Sequence, residues 1–285
     1  MDTGSYTGFD IRITEPGICW FEFNEPERLN GMSAAKKRDM VEALTQAQMD
    51  NAVRVVVFIG EGRGFCAGDD LKGYNSRPQG DNPLVPPIDH GHDSPIGTYN
   101  GLRTISQAVN RKIRELDKLS IAAINGYAIQ TGLSLALACD FKIAASSAKL
   151  GSATLRFGLL PDEGGQYLVL QHIGLAKTMD FLMNKRIVDA DEALELGMLN
   201  EVVADEELRD RVNSLATDLA NGPQVSMRLL KRSVYMAAEL SFDQACDEIA
   251  SKTAISDHHP DAQEGGASFR ERREPIFNAW LHQDK

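Results

Sequence analysis

Two hydrophobic rhythms alternate along the chain. The segments FDIRIT (9–14), ICWFEFN (18–24), RVVVFIG (54–60), SIAAING (120–126) and FKIAA (141–145) are short, apolar and rich in β-branched or aromatic residues, and read as strands. Pro16 and Gly17 mark a turn between the first two. Longer stretches at helical spacing lie between the strands. Ser33 is placed to cap a helix through AAKKRDMVEALTQAQ, YAIQTGLSLALACD (127–140) reads as a small-residue apolar helix, and EGGQYLVLQHIG (163–174) reads as another. Strands alternating with helices predict an α/β fold. After about residue 205 the strand signals stop. DEELRDRVNSLATDLANG, PQVSMRLLKRSVYMAAEL and SFDQACDEIASKTAI then read as amphipathic helices with polar caps. The chain thus divides into a core domain, 1–204, and a helical C-terminal region, 205–285. Residues 73–98 are rich in Gly, Pro, Asp and His and lack either rhythm, which predicts a flap beside a functional site.

Composition narrows the function classes. The 285 residues are 42% hydrophobic and 25% charged, an ordinary globular balance. A net charge of -11 argues against a nucleic-acid or anionic-membrane partner. No apolar run approaches the ~20 residues that cross a bilayer, and the N-terminus MDTGSYTGFD has no signal-peptide pattern. Cys19, Cys66, Cys139 and Cys246 are widely spaced, so no metal site is expected and a reduced, cytoplasmic setting is the plain reading.

The candidate chemistry sits in three loops. FCAGDD ends a strand with a glycine that lets the backbone turn toward a ligand. NGYAIQTG leaves a strand and starts a helix, whose first N–H groups lack internal acceptors and carry partial positive charge. Two such donors aimed at one point would stabilise a developing oxyanion. In RFGLLPDEGG (156–165) an apolar run delivers Asp162 and Glu163 between a proline and two glycines. From the residues alone they are either N-terminal helix caps or acid–base groups in a pocket.

In this order these segments resemble the crotonase (enoyl-CoA hydratase/isomerase) superfamily. NEPERLNGMS is similar to the family's early Asn-x-Pro segment, GRGFCAGDDLK to its first oxyanion loop, and INGYAIQTGLSLALACDFKIAA to its second. GLLPDEGG is similar to the loop that carries a catalytic acid in several branches, and DAQEGGASFRERREPIF to the C-terminal helix and tail. The resemblance implies a crotonase (ClpP/crotonase-like) fold of repeated ββα units with a helical C-terminal region that trimerises. It also implies an acyl-CoA thioester substrate, no tightly bound cofactor, and a homotrimer or dimer of trimers.

By the same resemblance, the oxyanion donors are the backbone N–H groups of Asp69 and Thr131, where the family commonly has a small residue and glycine. A β-branched Thr131 at positive φ would be strained, and the Asp69 carboxylate is expected to point away from a forming enolate. The two glutamates of the hydratase branch fall on Ser134 and Thr154, whose hydroxyls are poor general bases. Asp162 matches the acid of isomerase members with a Gly-Leu-x-Pro-Asp loop, with Glu163 as the second candidate. The implied reaction is a double-bond shift in an enoyl-CoA through an enolate. Hydration or thioester hydrolysis at the same site, or a non-catalytic CoA-binding homologue, are the alternatives. CoA contacts carry over to Arg28, Leu29, Cys66, Ala67 and Lys72, and to Phe269 and Arg272 in the tail. Gln130 and Arg156 lie close enough in sequence to face the pocket without an assigned role. His90, His92, His258 and His259 read as loop and turn residues, and Cys66 and Cys139 as packing residues without a base partner.

Overall fold

The computed structural model describes residues 1–69 and 94–282. Lys72, His90 and His92, and most of the expected flap, lie outside these residues. The end of the flap segment that is described is helical: Ser94 caps a helix that begins at Pro95.

The chain opens with β1 (Gly4–Tyr6), β2 (Phe9–Thr14) and β3 (Ile18–Phe23), an antiparallel meander, followed by α1 (Ala34–Met49), which Ser33 caps by accepting from the Lys36 N–H. A three-part excursion then recurs. First come β4 (Val55–Gly60), β5 (Gly64–Cys66) and α2 (Pro95–Gly101), the last continuing through a π-helical stretch, Leu102–Ser106, into α3 (Gln107–Glu115). Next come β6 (Leu119–Ile124), β7 (Tyr127–Ile129) and α4 (Thr131–Ala138), then β8 (Phe141–Ala145), β9 (Lys149–Gly151) and α5 (Gly165–Met183). Each excursion places one strand in a large sheet, the next in a small sheet, and a helix on the return. The chain continues through β10 (Ile187–Asp189), α6 (Ala190–Leu196) and β11 (Glu201–Val203). It ends in α7 (Leu208–Asn221), α8 (Gln224–Ala237), α9 (Phe242–Asp257) and α10 (Pro260–Glu271).

The large sheet has the order β1-β2-β3-β4-β6-β8-β11 and is parallel from β3 onward; the small one has the order β10-β9-β7-β5. Both faces of the large sheet are buried, which is why β4 and β6 are continuous apolar runs. One face presents Phe21, Val56, Phe58, Ala122 and Ile124 to the core shared with α1, α3 and α4. The other presents Ile18, Val55, Val57, Ile121 and Ile143 to Leu208, Val212 and Ala216 of α7.

The sequence pattern misplaced one boundary that matters. Residues 127–140 were expected to be helical throughout, yet Tyr127–Ile129 is a strand and the helix starts at Thr131. The small residues there fit a crowded site of either type, and pairing with β5 and β9 decided in favour of strand. Glycine makes the junction possible. A Cβ on Gly132 would lie 1.9 Å from the Cys66 carbonyl oxygen, so only glycine lets the start of α4 pack on the end of β5.

The C-terminal helices are tied to the core by a buried ion pair. Lys231 of α8 donates to Asp140, between α4 and β8, at 2.8 Å, and to the Lys118 carbonyl at 2.9 Å. Asp140 also accepts from the Ser120 N–H and hydroxyl and from the Tyr235 hydroxyl. Both oxygens of this carboxylate therefore accept from donors, three at Oδ2 and one at Oδ1, which offsets the cost of burying it.

Replacing Lys231 with Met leaves Asp140 buried without its cation and is expected to cost about 3–5 kcal/mol in urea denaturation. Gly132→Ala is expected to cost more than the ~1–3 kcal/mol of ordinary overpacking, because the obstruction is backbone rather than a movable side chain; the same denaturation measurement checks it.

Candidate active site

Strands β5, β7 and β9 are adjacent and parallel, so their C-terminal ends point the same way. Each end releases one functional loop: Ala67–Asp69 after β5, Gln130–Thr131 after β7, and the 152–164 segment after β9. The topology thus gathers three segments that are far apart in sequence, as parallel sheets gather ligand sites at their carboxyl ends.

The two residues expected to supply oxyanion amides, Asp69 and Thr131, meet through their side chains. Gly68, with φ +106°, turns the chain after β5, and the Gly68 carbonyl accepts from the Met32 N–H at 2.9 Å. Thr131 is the first residue of α4, so its N–H has no acceptor within the helix. Thr131 does not take positive φ. The strain falls on the preceding residue, Gln130, at φ 52° and ψ -106°. Gln130 is held there by its N–H to the Gly151 carbonyl at 2.9 Å and by Ser152 donating to its side-chain oxygen at 2.8 Å.

The side chains around these amides form a connected chain. Lys37 Nζ, on α1, is 2.8 Å from Asp69 Oδ2 and 3.3 Å from the Ser106 hydroxyl, in the π-helical stretch. The Thr131 hydroxyl is 2.7 Å from Asp69 Oδ1 and 2.7 Å from Glu163 Oε1. Gln130 Nε2 donates to Glu163 Oε2 at 3.4 Å. The Asp69 carboxylate therefore turns onto Thr131 and Lys37; the ammonium offsets the negative charge that was expected to force it clear of the oxyanion site. Lys37 could not be singled out from the sequence: Lys36 and Lys37 are adjacent on α1 and both are buried, and nothing in the sequence marks a buried lysine from a solvated one.

Asp162 and Glu163 occupy different environments. Neither caps α5: the residue before the helix is Gly164, in left-handed conformation with no side-chain cap. The Gln107 side chain donates to the Asp162 carbonyl at 3.0 Å and Asn110 to that of Glu163 at 2.9 Å, so α3 fixes the backbone of the pair. Glu163 is 3% exposed. Its burial pushes its carboxyl up to about 7, opposed by Lys37 and reinforced by Asp69 and Asp162. Asp162 is half-buried, and among the described residues its carboxylate makes no hydrogen bond or ion pair. Ser134 is buried against Gly165, where an added Cβ would lie 2.7 Å from its hydroxyl, and the buried Thr154 hydroxyl has no partner among the described residues.

The expected CoA contacts are only partly assembled in one chain. Leu29, in left-handed conformation, accepts from the Ala67 N–H at 3.0 Å, which joins the 26–29 turn to the β5 loop. Arg28 is exposed on that turn. Cys66 is fully buried and its thiol is pushed up to about 11 by desolvation, as a packing residue's would be. Phe269, 86% exposed, and Arg272, which ends α10, make no hydrogen bond or ion pair with the β5 or β7 loops among the described residues. Arg156 lies in a short 3-10 turn, Thr154–Phe157. A cavity of about 740 Å³ between α3, the start of α5, α8 and α9 is bordered by Glu163 but by neither Asp69 nor Thr131.

Comparison with known proteins matches this architecture over nearly the whole chain. The family profile described as enoyl-CoA hydratase/isomerase matches residues 14–86 and 88–280. The chain is 34% identical to 1,2-epoxyphenylacetyl-CoA isomerase of Escherichia coli (strain K12), over 94% of this chain and 98% of that one. It is 28% identical to crotonyl-CoA hydratase of Syntrophomonas wolfei, over 92% and 95%. The crystal structure of an enoyl-CoA hydratase from Bacillus anthracis superposes with a TM-score of 0.85, at 25% identity, covering 95% of this chain and 98% of that one. With the gathered loops and the repeated ββα path, these matches establish that the chain is a crotonase-fold member of the enoyl-CoA hydratase/isomerase family.

Proposed function

We propose that this protein is an enoyl-CoA isomerase that moves a double bond along an acyl-CoA thioester. The N–H groups of Asp69 and Thr131 hold the thioester oxygen as it becomes an enolate. Asp162 takes a proton from the α carbon and returns it at the γ carbon. One carboxylate suffices, because the same group that accepts the α proton then serves as the acid at the γ carbon, exchanging with solvent in between.

The supporting observation is the division of labour among the carboxyls. Asp69 is paired with Lys37, and Glu163 is buried against Thr131 and Gln130. Asp162 alone of the three is half-exposed with an uncommitted carboxylate among the described residues. Hydration by a carboxylate pair is disfavoured, since Ser134 and Thr154 hold hydroxyls where that pair belongs, and the buried Thr154 hydroxyl has no hydrogen-bond partner among the described residues. The similarity to an isomerase of a CoA thioester points the same way. Hydration or thioester hydrolysis by Asp162 at the same site is the second reading, favoured by the hydratases among the relatives.

Arg28, Leu29, Cys66, Ala67 and Lys72 are proposed to line the CoA path. Phe269 and Arg272 are proposed to reach the CoA of a neighbouring subunit in a homotrimer or a dimer of trimers. An apolar strip supports self-association: Phe157, Leu159, Leu160, Leu175, Met179 and Met183 are each about half or more exposed, with Leu175 at 69%.

In deuterium oxide with 2-enoyl and 3-enoyl CoA thioesters, the protein is expected to place deuterium at the α or γ carbon and to shift the double bond. Asp162→Asn is expected to lower this rate ~10²–10⁴-fold while CoA thioester binding persists, read by NMR and mass spectrometry. Addition of water or release of free CoA would assign the second reading; bound thioester without exchange would make the chain a non-catalytic binder. Leu175→Arg is expected to lower the assembly state by light scattering, because it puts a charge in the apolar strip.

A further inference from the structure

The Thr131 hydroxyl touches Asp69 Oδ1 and Glu163 Oε1, each at 2.7 Å. A hydroxyl carries a single hydrogen and donates to one acceptor. Two carboxylate oxygens at that distance therefore require a proton from one of the carboxyls. Asp69 has an ammonium at 2.8 Å, from a lysine that is 1% exposed, and is the better anion. Glu163 is buried, and among the described residues its only other side-chain donor is the Gln130 amide at 3.4 Å.

We propose that Glu163 is a neutral positioning acid: it donates to Thr131, Thr131 donates to the Asp69 carboxylate, and Lys37 anchors that anion, locking the two oxyanion donors together. The inference rests on the reading that the Asp69 and Thr131 amides form the oxyanion hole. Both residues are spanned by the chain, so its geometry sets the spacing of their N–H groups. Ionising Glu163 removes the hydrogen from one contact and leaves two oxygens facing across 2.7 Å. The loops then repel, and the hole loosens.

The charges around Glu163 are consistent with a proton held there. Lys37 from α1 faces Asp69 first, and Asp69 and Asp162 both oppose a second anion. On the cavity side stand Arg111 and Arg114 of α3, Arg232 of α8, Glu239 just beyond it, and Lys252 of α9. Arg114 is stacked on Tyr167 and Tyr235, Arg232 is paired with Asp117 and Lys252 with Glu248, so these three cations are engaged away from the Glu163 carboxyl; among the described residues Arg111 makes no ion pair with it. The balance leaves the Glu163 carboxyl protonated up to about pH 7.

Two readouts test this on the full-length protein. Infrared difference spectra between the parent and Glu163→Gln, without substrate, are expected to show a protonated-carboxyl band at about pH 6 that vanishes by about pH 9. A Glu163 that is already carboxylate at about pH 6 overturns the proposal. Because the folded-state affinity for the proton is raised, the stabilisation it contributes is present at low pH and is lost as pH rises through about 7. Glu163→Gln is thus expected to gain in thermal midpoint over the parent as pH rises. The second readout is the pH profile of proton exchange. The parent is expected to lose kcat on the alkaline side, and Glu163→Gln to keep it, since its amide N–H donates to Thr131 as the acid does. Thr131→Val, which retains the backbone N–H, is expected to lose ~10-fold or more in kcat with KM little changed. If Glu163→Gln abolishes exchange at every pH while Asp162→Asn retains it, Glu163 is the base and the proposal falls. If the parent exchanges no proton, the isomerase reading fails, and the infrared band alone decides where the proton sits.

Discussion

The contact on which this site depends is backbone against backbone. The start of α4 lies on the Cys66 carbonyl at a distance that excludes even a methyl group at position 132. That approach brings the β5 loop and the α4 N-terminus into hydrogen-bonding range, and everything else at the site follows from it. The ladder of β5, β7 and β9 supplies the alignment, and Gly68, at positive φ, supplies the turn. A side chain at position 132 or a different strand order would keep the β5 loop and the start of α4 apart.

The departures at positions 69 and 131 make sense as a pair. A carboxylate in the first loop would oppose an enolate if it stood alone. Here it is matched by Lys37 from α1 and by the Thr131 hydroxyl from the second loop. The β-branched residue in turn avoids strain because Gln130 takes the positive φ, secured by Gly151 and Ser152. Buried lysines recur in this fold. Lys231 joins α8 to Asp140, and Lys118, held by the Ala47 and Asp50 carbonyls, is pushed down to about 7 by desolvation. Each directs its Nζ at carboxylate or carbonyl oxygens in the interior.

Much of the architecture was legible from local pattern. The β2, β3, β4, β6 and β8 strands, the Ser33 cap and the helices from α7 to α9 stand where periodicity put them, because each is a long or strongly apolar segment whose burial demands one answer. Short elements were not legible in the same way. The β7 strand, three residues of mixed character, is a strand only because β5 and β9 flank it. The helical segment expected over 163–174 ends where α5 is broken by the non-helical Gly174; the second stretch, on to Met183, was not anticipated.

The sequence by itself determined the α/β class, the helical C-terminal region, the glycines at the two loops, and the presence of two carboxyls after Pro161. These follow from properties that each residue carries wherever it lies: backbone freedom, hydrophobic period and charge. Only the tertiary structure decided which carboxyl is which. Asp162 and Glu163 are chemically similar neighbours in the chain, yet one is half-buried with no carboxylate partner among the described residues while the other is buried against Thr131. Lys37, Asp69, Thr131 and Glu163 are spread over residues 37 to 163, and these groups act on one another only after folding brings them within a few ångströms and removes the water between them.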